Sequence, residues 1–281
     1  VPRTTPPRPA DIAALFPSLR DHTATTTRLH PRPGTPARTD SSIGGPLLWP
    51  ADEPWPHCDA ADEHWFEPAD GDPTDEPIPM VPVAQLYRRD VPDLPGHDLM
   101  QLLWCPLNHT DHDFNPLPRV FWRSAADVTE VLADPPKPPV TTGYYLPEPC
   151  VLHPEQVVEH RHRDLLPAGL RAQIADWEAV STVSYFFDLS LAPGWKVGGF
   201  PDLADHDPNW VRCASCHTEM SFLLVAATGE WATEGQSWRP PEDPPDSRYD
   251  PTGITIGRGW SLNIFHCPTS PTHPVTALAS M

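Results

Sequence analysis

Leu99-Met100-Gln101-Leu102-Leu103-Trp104-Cys105-Pro106 and Ser261-Leu262-Asn263-Ile264-Phe265-His266-Cys267-Pro268 decide how this chain is read. Each is a mostly apolar run of strand length that stops at Cys-Pro. Working upstream, Pro79-Met80 followed by Val81 to Leu86 matches Glu219-Met220 followed by Ser221 to Ala226. Further upstream, Trp55-Pro56-His57-Cys58 matches Trp210-Val211-Arg212-Cys213, and Ser42-Ile43-Gly44-Gly45 matches Lys196-Val197-Gly198-Gly199. Gly45 lies 13 residues before Cys58, and Gly199 lies 14 before Cys213. Four matches in one order indicate an internal duplication. They predict two related lobes, each with its first Cys close in space to its Cys-Pro.

The remaining stretches fill in that frame. Residues 1–40 are Pro/Thr/Arg-rich and hold one amphipathic stretch, Asp11 to Phe16, which predicts a two-turn helix stopped by Pro17. Val120 to Trp122, Val151 to Val158, Val183 to Leu191 and Phe222 to Ala227 read as further strands. Ala168 to Val180 reads as a helix, because Leu170, Ile174 and Trp177 recur at helical spacing. Pro135 to Pro139 is an extended connector, and Arg239 to Asp250 is a Pro/acid loop. The expected organisation is a Pro-rich segment over 1–40, a first lobe over 41–140, and a second lobe over 141–281 carrying a Cys-rich metal site. The expected fold class is α+β, strand-rich and mostly antiparallel.

Composition supports that class. Pro contributes 41 of 281 residues, about three times ordinary usage, and argues against helical bundles and coiled coils. With 38 acidic and 19 basic residues the formal charge is −19. Nucleic acid and anionic lipid are therefore poor partners, since both are polyanions. Residues 51–76 hold ten Asp/Glu and no Lys or Arg. This reads as a solvated acidic loop, or as a docking face for a basic protein partner. No apolar run reaches membrane-spanning length and no secretory signal pattern is present. A cytoplasmic location is the expectation.

Gly44-Gly45 before Trp49-Pro50, Pro79-Met80 with Ala84-Gln85-Leu86, and Ala192-Pro193-Gly194-Trp195-Lys196-Val197-Gly198-Gly199 resemble the YwqG-like family, a bacterial domain without an assigned activity. The likeness is greatest to its actinobacterial branch and runs from about residue 40 to 275. It implies a strand-rich α+β fold built by duplication, and it brings no established catalytic activity with it. It also implies a further Cys three residues after the second Cys-Pro cysteine, where this chain has Ser270.

The strongest chemical signal is Cys213-Ala-Ser-Cys216, whose two thiolates can take two corners of a tetrahedral zinc site. Cys267, on the matching strand end, is the expected third ligand. His273 is preferred as the fourth over His217 and His266, because the loop after Cys267 can fold back. Free thiols, a disulfide and a redox pair are the alternatives. The first lobe has a degenerate version. Cys58, Cys105, His109 and either His57 or His64 could bind a second metal, and the simpler reading is two buried cysteines. The clusters Asn108 to Asp113 and His160-Arg161-His162 read as solvated. Trp49, Trp55, Trp104, Trp122, Trp195, Trp210 and Trp238 read as core. The sequence has no HExxH, GxSxG, Walker or Rossmann pattern. The functional expectation is a non-catalytic, zinc-stabilised binding or regulatory protein, such as an immunity protein neutralising a basic toxin. A metal-dependent enzyme is the alternative, with an open zinc position and Glu219 as base.

Overall fold

The computed structural model describes residues 1–66, 74, 76–203, 211–231 and 235–280. Its strands are β1 Thr23–Arg28, β2 Arg32–Pro33, β3 Ser42–Ile43, β4 His64–Trp65, β5 Val81–Tyr87, β6 Leu99–Trp104, β7 Asn108–His109 and β8 Pro118–Arg123 in the first half. The second half adds β9 Cys150–Val151, β10 Glu155–His160, β11 Lys196–Gly198, β12 Ser221–Ala227, β13 Ser261–His266 and β14 Thr276–Ser280. The α-helices are α1 Ile12–Leu15 and α2 Ala168–Glu178. All strand pairings are antiparallel. The fold is therefore α+β, strand-rich and antiparallel.

Two six-stranded sheets run β2-β9-β3-β5-β6-β8 and β10-β1-β11-β12-β13-β14. Their central strands carry the duplication at residue level. Ile43 lies opposite Ala84 and Val197 opposite Leu224. The β5–β6 register shifts between Pro82 and Ala84, and the β12–β13 register shifts between Phe222 and Leu224, which are equivalent positions. Cys58 N–H donates to Ile78 O and Cys213 N–H to Thr218 O; Met80 N–H donates to Pro56 O and Met220 N–H to Val211 O. Gly44 and Gly198 both turn the chain at positive φ, +63° and +70°, a region glycine enters without steric penalty.

Each half also lends a strand to the other. Thr23–Arg28, from the Pro-rich 1–40 segment, lies between β10 and β11 in the second sheet. Cys150–Val151, from beyond residue 140, lies between β2 and β3 in the first. The 1–40 segment is thus built into both sheets, and a boundary near 140 does not separate them. The sequence signal was weak because β1 is a Thr-rich run, Thr-Ala-Thr-Thr-Thr-Arg, in which β-branching rather than alternation favours a strand. One continuous apolar cluster joins the sheets, including Ile43, Val83, Leu86, Met100, Leu102 and Trp104 from the first and Val197, Leu224, Leu262 and Ile264 from the second.

A second cluster covers the outside. Ile12, Phe16 and Leu19 pack against Leu170, Ile174, Tyr185 and Leu189. Asp11 accepts from Ala14 N–H at the start of α1, and Pro17 begins a 3-10 turn after it. Val183 to Leu191, expected as a strand, instead forms a π-helix over Tyr185–Leu189. Ser184 caps it by accepting from Phe187 N–H, while Asp188 accepts from Ser184 N–H and Glu178 from Tyr185 N–H. These local polar side chains outcompete the β-propensity of the apolar run. Val151 to Val158 splits at Leu152–Pro154 into β9 and β10, since its ends serve different sheets.

Between these layers lie buried charges. Lys196 Nζ meets Glu159 Oε2 at 2.7 Å, and the same carboxylate accepts from the N–H groups of Ala192 and Phe200. Nearby, Arg32 forms a fork on Asp243, and Arg28 donates to Thr5 Oγ1 and Trp238 O. His30 sits wholly buried among them, its Nε2 3.3 Å from Glu155 Oε2. Burial, then Arg28 and Arg32, lowers its pKa from 6.5 to about 2. The unfolded chain takes up a proton near pH 6.5 that the native chain refuses, so stability falls as pH drops below that value. His30→Gln should remove about 1.5 kcal/mol of the stability lost between pH 6.5 and pH 5. Urea unfolding at both pH values checks this; an unchanged acid dependence would mean the ring is charged in the folded protein.

Candidate metal centre

The sulfur-bearing ends of the duplicated strands each close a cluster. In the second half, Cys213, Cys216, Cys267 and His273 bring their ligand atoms within 4.8 Å of one another. Cys213 to Cys216 form a tight turn, in which His217 N–H donates to Cys213 O and His217 takes a positive φ of +58°. Cys267 follows β13 directly. His273 returns from the Pro-Thr-Ser-Pro-Thr loop to place Nδ1 3.3 Å from Cys267 Sγ and 3.5 Å from Cys213 Sγ. Cys216 Sγ lies 3.5 Å from Cys267 Sγ. Ser270, where the family resemblance implies a Cys, bonds to Thr272 instead. His217 is exposed, and His266 packs edge-on against Trp122.

In the first half, Cys58, His64, Cys105 and His109 form the second such cluster. Cys105 follows β6 as Cys267 follows β13. The two-residue strands β4 and β7 place His64 and His109 directly opposite each other. Their Nε2 atoms lie 3.3 Å and 3.4 Å from Cys58 Sγ, and His64 Nε2 is 3.4 Å from Cys105 Sγ. His57 stays outside, its Nδ1 on Trp55 O at 3.0 Å.

These distances suit a four-coordinate ion. Metal–sulfur bonds of about 2.3 Å and metal–nitrogen bonds of about 2.0–2.1 Å put tetrahedral S···N edges at roughly 3.5 Å and S···S edges at roughly 3.8 Å. Both clusters can therefore hold a metal ion. Each sits outside the main core, in a small apolar cluster of its own. Val211, Met220 and Phe265 surround the second-half site, and Ile78 and Leu107 the first. All six cysteines are free thiols. No family model and no curated protein matches the chain.

The sulfurs are not equivalent. Burial pushes the Cys267 thiol up, but the N–H groups of Thr269 and Ser270 outweigh it and lower its pKa to about 7. Thr218 lowers Cys216 through side-chain and backbone hydrogen bonds. Cys58 is lowered because Cys105 donates to it, and Cys105 is raised in return and by burial. Cys150, outside both clusters, is pushed up to about 12 by burial.

The other candidates lie elsewhere. Glu219 is exposed, lies opposite Arg212 in a backbone β-bridge, and is not part of the donor set. His112 pairs with Glu63 at 3.6 Å, and His160 is buried rather than solvated. Trp49, Trp55, Trp104, Trp195 and Trp238 are core residues; Trp122 is half-buried, and Trp210 falls outside the described residues. A cavity of about 670 Å³ with Trp231, Tyr249 and Trp260 on its wall belongs to the second half, not to a cleft between halves. Within the acidic stretch, Asp52, Asp59, Asp62 and Glu76 are exposed, Glu53 pairs with Arg123, and Glu67, Asp70, Asp72 and Asp75 fall outside the described residues. Among the described residues, no helix is long and apolar enough to cross a membrane.

The thiol order gives a direct check. In metal-free folded protein at pH 7, iodoacetamide should label Cys216 at least tenfold faster than Cys150, because only the former combines exposure with a lowered pKa. Peptide mass mapping over time measures both rates; equal rates would show that the pocket around Cys150 opens freely.

Proposed function

We propose that this chain is a non-catalytic binding or regulatory module of the YwqG-like type, whose second half is fastened by one structural zinc ion. The observation that carries the reading is the closed donor set of Cys213, Cys216, Cys267 and His273. Three thiolates and one imidazole at tetrahedral spacing favour zinc over harder cations. They also fill the position that a catalytic zinc keeps for water, and thiolate-rich ligation makes the ion a poor Lewis acid. An enzyme with an open coordination position would need one of the four to stand away, with a carboxylate in its place.

The partner proposed is a basic protein. The chain carries a net charge of −19, and Asp52, Asp62 and Glu76 present part of it as exposed side chains, with Asp59 exposed beside Arg119 at 2.5 Å. Complementary charge speeds association and selects partners. Neutralising a basic toxin is one concrete form of such a role. Clustered thiolates persist in a reducing compartment, which supports a cytoplasmic location.

Two experiments test the halves of this reading. Purified protein should contain tightly held zinc, and Cys213→Ser should lower stability by several kcal/mol, because metal binding is coupled to folding. Metal analysis with denaturant melts decides this, and a Cys213→Ser protein that stays folded while losing a catalytic turnover would establish an enzyme instead. For the partner, changing Asp52, Asp59, Asp62 and Glu76 to the amides should weaken capture of basic proteins at least tenfold at low salt and flatten its salt dependence. An unchanged set of partners would remove the acidic segment from the binding surface.

A further inference from the structure

We infer that Cys58, His64, Cys105 and His109 form a second zinc site, a Cys2His2 cage that loads independently of the one in the second half. This goes beyond the reading above, which needs a single ion.

The first argument is convergence. His64 Nε2 lies 3.3 Å from Cys58 Sγ and 3.4 Å from Cys105 Sγ, while Cys58 Sγ also faces His109 Nε2 at 3.4 Å. All four ligand atoms lie within 4.8 Å of one another, and the S···N separations match the roughly 3.5 Å edge of a tetrahedral zinc cage. His109 is wholly buried, and its Nδ1 has no hydrogen-bond partner. Its Nε2 faces Cys58 Sγ at 3.4 Å and is the ring atom that a bound ion would anchor.

The second argument is how the two cages are built. Cys58 and Cys105 occupy the positions of Cys213 and Cys267 in the repeat, held by equivalent backbone hydrogen bonds at Cys58 and Cys213. The other donors do not correspond. The second-half cage is completed by a Cys three residues after Cys213 and a His six after Cys267; the first-half cage is completed by a His six after Cys58 and a His four after Cys105. A decaying copy loses donors. This copy has four, two of them delivered by β4 and β7, which pair with each other in a sheet of their own. The Cys2His2 set also suits zinc, whose ordinary structural cages include it. An ion there fastens Cys58 and His64, both within the acidic 51–76 stretch, to the end of β6.

Zinc counting on the full chain tests this. Metal-free protein reloaded with excess zinc and passed over a weak chelator should retain two zinc per chain, and His109→Gln should halve that to one with the circular dichroism unchanged. One zinc in the unaltered chain, two in His109→Gln, or a Cys58–Cys105 disulfide would each overturn the proposal. Should His109→Gln fail to fold, cobalt titration of the unaltered chain decides. The visible bands of tetrahedral cobalt should saturate at two equivalents, with the sulfur-to-cobalt absorption reporting five thiolates over two ions. Saturation at one equivalent with three thiolates would overturn it.

Discussion

The exchange of β1 and β9 is the constraint from which the rest follows. Each is a central strand of the sheet built mainly by the other half, flanked by β10 and β11 in one case and by β2 and β3 in the other. Removing β1 leaves β10 without a strand partner and removing β9 leaves β2 without one, while β11 and β3 each lose one of two neighbours. Unpaired buried peptide groups are costly, so the exchange ties the two halves of the repeat together. The single apolar cluster across both sheets is the packing counterpart of that exchange.

Much of this was written in the sequence, and the gaps have physical causes. The β6 and β13 runs were legible because apolar residues continue to a Cys-Pro stop; the register shift shared by their partners β5 and β12 leaves no mark in that apolar pattern. The exchange was not legible, because a short Thr-rich strand and a two-residue strand carry no hydrophobic pattern strong enough to stand out. Tyr185–Leu189 misled for the opposite reason. Its apolar residues match a strand, but Ser184, Asp188 and Glu178 hold its backbone in a helical turn. Of the candidate donors, Cys213, Cys216, Cys267 and His273 were named from spacing and loop length, and the structure brings their ligand atoms within 4.8 Å of one another. His64 stayed ambiguous with His57, since only the pairing of β4 with β7 chooses between them.

The clusters sit where this architecture is least able to hold itself. Both lie at strand ends, beyond the shared core, where proline-rich loops supply few backbone hydrogen bonds. A small apolar cluster such as Val211, Met220 and Phe265 buries little area. An ion shared by four such side chains would replace the packing these loops lack, much as staples do in small domains. The same reasoning explains why Cys150, buried inside the main core against Pro251 O, belongs to neither cluster.

Charge placement links the interior to the surface. Arg28, Arg32 and Lys196 are buried, and Glu159, Glu230 and Asp243 are buried with them. These groups balance one another in number, so their removal from the surface does not reduce the net −19. It takes equal numbers of cations and anions out of the surface, so the exterior keeps the acidic excess of the chain. Arginines meet the acidic stretch as local pairs, Arg119 with Asp59 and Arg123 with Glu53. An excess of one sign on a surface attracts the opposite sign before contact is made, which is the physical basis of the proposed basic partner.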